Sequence, residues 1–491
     1  MKSTLKYSLI FVLAALIGCQ ELEREDFNQI YPENFFQNED DVKNASTAMY
    51  RLFHIYSYGG GGLYSHGRFG VNIFTEVSTD IMACRWGDGG TWAAFNEHTW
   101  TAENTKGVSD SYYRYNWLSK GEQIIKNIKE SPVTDDIKNR YIAQIEGLQG
   151  WLAYVLFDLY GGIPIADPEV LENFEEEIYL PRKTNAEMVS YIEGKLNSAA
   201  QYLPVSYPSS DWGRITKGAA KTLLLKLYMH EKDWAKAEEV AREIMKPEYG
   251  YELLSDYKAV FAVETEINNE TILAIPCNVS DFANGWAAHA LLPDYPYAIA
   301  GAAKWGGYQM EWDFYNTYEA NDKRLETIIG EYEAGGVVYN QENHGDRLNL
   351  GAIPLKYGVD PSHIGDKAGN DVPVFRYADI ILSLAEAINN INNGPTAEAY
   401  SLINRVRNRA GLDNLQAGLS KDAFNDALLL ERGHELYCEG QRRTDLIRHG
   451  KYVEYAKLKP NNGAAEHKVL YPIPNSAITE SKGAVVQNPG Y

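Results

Sequence analysis

Between Asp426 and Tyr452 the chain gathers Glu431, Arg432, Glu435, Glu439, Arg442, Arg443, Asp445 and Arg448 into one short stretch. Such crowding suits either a catalytic carboxylate centre or a tightly paired scaffold. Leu429, Leu436 and Tyr437, then Leu446 and Ile447, fit one helical face, a glycine and a second helical face. Glu431, Glu435 and Glu439 recur every four residues, which puts like charges on one side of a helix where they repel. The ladder therefore needs cations close by, and the arginines of the same stretch are the candidates. Inside it, His434-Glu435-Leu436-Tyr437-Cys438 approaches the zinc signature H-E-x-x-H with Cys in the second ligand position. Two ligands do not fix a tetrahedral ion and no third is evident, so no metal site is expected. Carboxylates are plentiful enough to leave a glycosidase open. No nucleophile elbow of the G-x-S-x-G type is present, and no positive signal for an enzyme stands out.

Two other stretches carry residues suited to holding a ligand rather than transforming one. Thr79–Trp100 sets Trp86, Trp92 and Trp100 among Gly, Asp, Asn and His without helical spacing. Residues 276–308 set Trp286, Tyr295, Tyr297, Trp305 and Tyr308 among Gly and Pro in a long irregular segment, and such segments in compact proteins are functional or disordered. Their aromatic content argues against disorder. Aromatic faces beside polar groups are how sugar-sized ligands are held. The expected contacts are Trp86, Trp92, Trp100, Trp286, Tyr295, Tyr297 and Trp305 for stacking, with Arg85, Asp88 and Asn284 bonding hydroxyls. The competing reading is that one or two of these tryptophans plug a local core.

The elements that must position these residues are mostly helical. The 491 residues carry a formal net charge of -21, which disfavours nucleic acid and anionic membrane as partners. Tyr alone contributes 35 residues, a type suited to apolar yet wettable surfaces. Lys2 and Lys6, an apolar run from Leu9 to Ile17, and Leu16-Ile17-Gly18-Cys19 read as an export signal with a lipobox. Residues 1–18 are then a signal peptide, Cys19 is acylated, and residues 19–38 form an acidic tether and N-terminal arm. Cys84, Cys277 and Cys438 are widely spaced and show no C-x-x-C pattern, so no disulfide scaffold is expected. Helical spacing appears over Asp40–Tyr56, Tyr112–Glu130, Asp135–Tyr160, Asn185–Leu203, Gly213–His230, Asp233–Met245, Gln309–Tyr318, Val374–Asn390, Thr396–Ala410 and Lys421–Gly450. A hairpin is expected at Gly335-Gly336. Ile215–Met245, with small residues at Ala219, Ala220, Ala235 and Ala237, has the spacing of a tetratricopeptide-type hairpin. The predicted fold is mostly α: a tetratricopeptide-like helical-pair scaffold with long irregular loops and a few short strands. It forms one domain over residues 39–491, with scaffold helices at roughly 109–246 and 374–452 and ligand-face loops at roughly 79–108 and 276–308.

Ordered motifs along the chain resemble the SusD/RagB family. They include Gly161-Gly162-Ile163-Pro164, Pro181-Arg182, Gly213-Arg214-Ile215-Thr216-Lys217-Gly218-Ala219-Ala220, Asp322-Lys323-Arg324 and Lys356-Tyr357. Further on come Arg376-Tyr377-Ala378-Asp379, Asn404-Arg405-Val406-Arg407, Glu439-Gly440-Gln441-Arg442 and the ending Gln487-Asn488-Pro489-Gly490-Tyr491. One departure lies around Gly121-Glu122, where the family commonly carries Asn. The resemblance implies a non-catalytic, surface-exposed outer-membrane lipoprotein that captures oligosaccharide on loops and passes it to a SusC-like TonB-dependent transporter. It implies no cofactor and no nucleic-acid partner. A peptide-importing member of the same family and, from another class, a secreted helical glycosidase remain as alternatives.

Overall fold

The computed structural model describes residues 35–55, 62–67, 70–103, 106–173, 175–459 and 462–491. The predicted lipobox, Cys19 and most of the acidic tether lie outside these residues. In chain order the helices are α1 (Glu39–Tyr50), α2 (Val71–Val77), α3 (Thr91–Asn96), α4 (Lys106–Tyr112), α5 (Asn116–Glu130), α6 (Asp135–Tyr160), α7 (Pro168–Glu172), α8 (Asn185–Tyr202), α9 (Lys217–His230) and α10 (Trp234–Ile244). They continue with α11 (Trp286–Ala290), α12 (Trp312–Tyr315), α13 (Tyr377–Ile391), α14 (Ala397–Arg409), α15 (Lys421–Leu436), α16 (Arg442–Arg448), α17 (Tyr452–Ala456) and α18 (Asn475–Glu480). The strands are β1 (Met82–Cys84), β2 (Thr271–Ile275), β3 (Tyr308–Glu311), β4 (Tyr332–Ala334), β5 (Val337–Tyr339), β6 (Gly351–Ala352) and β7 (Val372–Arg376).

Local chemistry explains where the scaffold helices start. Thr184 and Glu187 form a capping box at α8, each side chain bonding the other's backbone N–H, and Thr396 and Ser420 cap α14 and α15. The scaffold is a run of packed neighbours: α6 on α8, α8 on α9, α9 on α10, α10 on α13, and α13 on α14 and α15. The α9–α10 pair is the tetratricopeptide-like hairpin expected at residues 215–245. Glycine sets the closeness of α6 to α8. A Cβ on Gly150 would lie 2.5 Å from Leu196 Cδ2, too close for any real side chain. Gly121 on α5 serves the same end, because a Cβ there would come within 2.6 Å of Gln149 Nε2, which donates to the Leu118 carbonyl and to Glu122.

The strands are short and serve the connections. β1, β3 and β6 form an antiparallel sheet with Met82 opposite Met310 and Cys84 opposite Tyr308. β2 pairs with β7, and β4 with β5 across the Gly335-Gly336 turn. This pairing corrects several sequence expectations. Tyr308–Glu311 is strand because it lies between β1 and β6, so only Trp312–Tyr315 of the expected helix at 309–318 is helical. Val374–Arg376 belongs to β7, held by β2. The segment 79–108 is not a plain loop: it carries β1, α3 and the start of α4. Gly90, in the left-handed region at φ 89°, turns the chain into α3.

The acid–arginine stretch is interior structure. α15 ends at Leu436, so Glu439 lies beyond the helix, after Cys438 in the left-handed region. The cations that relieve the glutamates come from elsewhere in the chain, contrary to the expectation that neighbouring arginines would serve. Glu435 binds Arg376 at 2.8 Å and Arg409 at 2.5 Å; Glu431 binds Arg324 at 2.6 Å and Arg407 at 3.2 Å. Glu439 binds Lys356 and Arg376, both at 2.6 Å, while Glu270 and Asp322 add the remaining acids opposite Arg376, Arg409 and Arg324. The local arginines serve other acids: Arg432 pairs with Asp379 and Arg448 with Glu386, both also with Asp445 inside the stretch, while Arg442 pairs with Asp80 and Arg443 with Asp158. Burial raises the pKa of Glu386 and Asp445, and the facing cations override it, holding both below the ordinary carboxylate range. His434 does not converge with Cys438. Its Nε2 lies 2.7 Å from Thr317 Oγ1 and its ring stacks on Tyr318, while Cys438 packs against Met82. Among the described residues no group of three or more His, Cys, Asp or Glu could hold a metal ion, and no helix is long and apolar enough to cross a membrane.

Candidate ligand face

The two aromatic stretches come together at one end of the β1–β3–β6 sheet. β1 runs on past Cys84, so that the Arg85 N–H donates to the Gly307 carbonyl at 2.9 Å, one residue before β3. The Trp305 N–H donates to the Ala288 carbonyl at 2.7 Å and the Gly307 N–H to the His289 carbonyl at 2.6 Å, which ties the loop to α11. Trp86 packs on Gly307, where a Cβ would stand 2.3 Å from the indole. Its Nε1 reaches toward the Trp305 carbonyl at 3.4 Å. Only glycine lets an indole lie flat against that backbone, so Gly306-Gly307 is the ledge that holds Trp86 half-exposed.

Residues expected to contact ligand separate into two groups. Trp305 is 39% exposed, Trp86, Tyr295 and Tyr297 are half-buried, and Arg85 and Asp88 are exposed. The other four are corrected: Trp92, Trp100, Trp286 and Asn284 are buried and offer no open face. Each has its polar group satisfied internally, as buried N–H groups require. The Nε1 of Trp92 donates to Asp88 Oδ2, that of Trp100 to the Tyr491 hydroxyl, and that of Trp286 to the Pro354 carbonyl, each at 2.7 Å. Asn284 donates to the Asn370 carbonyl and accepts from the Trp286 N–H. Trp92 and Trp286 are the floor beneath the face: Tyr308 touches both, and Trp86 meets Trp92 edge-on. Trp100 instead packs on Tyr471 near the C-terminal segment.

Sequence reasoning missed several neighbours. Asp294 accepts from Arg347 Nε at 2.7 Å and from the Tyr332 hydroxyl at 2.9 Å. Arg347 lies over the Tyr339 ring, and its carbonyl faces Arg85 Nη1 at 3.4 Å. Lys304 Nζ donates to the Tyr295 carbonyl at 2.7 Å. Tyr297 meets His363 edge-on. His289 lies against Trp86, Trp305 and Tyr308. Nothing in local spacing marks Arg347 or Tyr339, which the β4–β5 hairpin and the following turn deliver from far along the chain. The face leaves Trp86, Tyr295, Tyr297 and Trp305 partly open to solvent. A groove of about 610 Å³ lies instead against the C-terminal residues His467, Lys468 and Tyr491. Partly open aromatic rings with polar neighbours can stack the apolar face of a sugar ring while the rim bonds its polar edge.

A family model described as "SusD family" matches residues 269–491. The chain is 26% identical to SusD-like protein P25 of Formosa agariphila, over 95% of this chain and 94% of that protein. It is 25% identical to the starch-binding protein SusD of Bacteroides thetaiotaomicron, over 73% of this chain and 74% of that protein. The fold is similar to that of surface glycan-binding protein A from Bacteroides thetaiotaomicron in complex with laminarihexaose, with a TM-score of 0.74 at 20% identity, over 91% of this chain and 99% of that one.

Proposed function

This chain belongs to the SusD family, whose members are binding proteins associated with the outer membrane, and from that premise we propose that it binds glycan at the cell surface without catalysing any reaction. On this reading Cys19 carries the lipid anchor, and the protein hands oligosaccharide to a SusC-like TonB-dependent transporter. Trp86 and Trp305 stack sugar rings, Tyr295 and Tyr297 extend the platform, and Arg85 and Asp88 bond ring hydroxyls. The names of two relatives, one starch-binding and one a glycan-binding protein bound to laminarihexaose, support the choice of glycan over peptide. The observation that carries it is the pair of half-buried Trp86 and 39% exposed Trp305, on loops more than 200 residues apart that the Arg85–Gly307 backbone bond joins. Soluble tryptophans left open at a polar rim are costly to solvate and are favourable partners for the apolar face of a sugar. Native affinity gels cast with laminarin, amylopectin, xyloglucan and alginate provide the test. Retardation by at least one polysaccharide, without release of reducing sugar, is the expected result. Retardation by none, or release of reducing sugar, contradicts it.

A further inference from the structure

His289 sits against half-buried Trp86 and exposed Trp305. Its ring centroid is 5.4 Å from that of Trp86 and 5.0 Å from that of Trp305, with Tyr308 stacked on it at 5.5 Å and 11°. Gly285, at the cap of α11, places its carbonyl 2.7 Å from His289 Nδ1. A carbonyl can only accept, so Nδ1 carries the hydrogen and Nε2 is a bare lone pair in the neutral ring. Burial pushes the imidazole pKa down to about 4, against the opposing pull of the Gly285 carbonyl, so the ring is neutral at physiological pH. Nε2 has no hydrogen-bond partner among the described residues. Unlike the ring nitrogens of His66, His98 and His363, it is not fully enclosed. The residue as a whole is 5% exposed, and its ring lies against both Trp86 and Trp305.

Resting on the reading that this platform binds glycan, we infer that His289 Nε2 is a fixed hydrogen-bond acceptor for a sugar hydroxyl and a specificity-determining residue of the site. Asp294 is engaged by Arg347 and Tyr332, and Asp88 holds Trp92 through Oδ2, which leaves its Oδ1, along with His289 Nε2, as acceptors for ligand. A ligand ring stacked on the tryptophans gains a bond by presenting a donor toward His289. A neutral glycan with a free hydroxyl at that position does so, and one whose hydroxyl is O-methylated or replaced by a sulfate does not.

The test uses two substitutions with opposite chemistry. His289→Phe keeps a planar ring for Trp86, Trp305 and Tyr308 but removes the acceptor, whereas His289→Gln loses the ring and restores an acceptor through Oε1. Calorimetric titration with the polysaccharide retained best in the affinity gels is expected to show about tenfold weaker binding for His289→Phe and near-native binding for His289→Gln. In the native protein, nitrogen NMR is expected to show the Nδ1–H tautomer, with the Nε2 resonance moving on addition of ligand. A packing role predicts the reverse order, with Phe tolerated and Gln weakened, and that result overturns the inference while leaving glycan binding intact. Loss of binding in Trp305→Ala with native binding in both His289 variants has the same meaning. Failure of the unsubstituted protein to bind any polysaccharide overturns both readings together.

Discussion

Charge and aromatic rings are each concentrated in one part of this molecule, and they are used in opposite ways. Around α15 and α16 the charges are buried and paired: Arg324, Arg376, Glu270 and Glu435 have no exposed side-chain surface. On the platform it is the rings that stay partly uncovered, while Trp92 and Trp286 lie beneath as its floor. The ionic region joins segments distant in sequence, since Glu435 meets Arg324 from 111 residues away and Arg376 from 59. A buried ion pair adds little net stability over an apolar pair, but it is severe to break and so fixes which segments pack together. The platform has no such internal partner for its open faces. Residues that look functional because they are charged are the scaffold, and residues that look like core because they are tryptophan divide between floor and surface.

The comparison can be broken most forcefully at Arg376. Arg376→Ala strands Glu270, Glu435 and Glu439 in the interior and is expected to cost about 3–5 kcal/mol in chemical denaturation, with unchanged glycan affinity in whatever fraction remains folded. Arg442→Ala is expected to cost about 3 kcal/mol, because its partner Asp80 keeps 13% of its side-chain surface in contact with water and is less stranded. Loss of affinity without loss of stability in either variant would make the charged stretch a ligand site after all.

A smaller effect tests the one acid of this region that cations do not rescue. Burial pushes the Glu76 carboxyl up to about 8, its Oε1 accepting from the Gly440 N–H at 2.8 Å and its Oε2 without a partner. A raised acid favours the protonated native state. Its stabilising effect is complete below the ordinary carboxylate range and is lost as pH rises through about 8. Glu76→Gln, neutral at every pH, should melt like the native protein near pH 5 and about 2 °C higher near pH 8. Glu386 and Asp445 run the other way: their contribution is present above the ordinary carboxylate range and is lost as pH falls below it through their depressed values. Acid unfolding should therefore set in below about pH 4.

What the chain discloses by itself follows from how local each cause is. α6 runs from Asp135 to Tyr160 as its spacing and the Gly161 stop imply, and α8 begins at its Thr184–Glu187 box, because caps and periodicity act over four residues. The partners of Glu431, Glu435 and Glu439 were not legible, since tertiary packing brings Arg324, Arg376 and Arg409 to them. The tryptophan loops were legible as a region but not residue by residue. Trp86 and Trp92 stand in the same composition, yet α3 turns Trp92 inward. The only local sign is Asp88, four residues earlier, placed to accept its N–H. His289 was invisible for a related reason. Its role depends on the Gly285 carbonyl within α11 and on two indoles brought over it by separate loops.

The most direct measurement is a calorimetric titration of Trp305→Ala, the most exposed tryptophan of the platform, alongside its thermal melt, using the polysaccharide that retards the native protein. Binding weakened at least about tenfold, with a melting temperature unchanged within about 1 °C, is the result expected if the aromatic face binds and the buried charges fold. Native affinity in Trp305→Ala, and equally in the Trp86→Ala/Trp305→Ala pair, would contradict it.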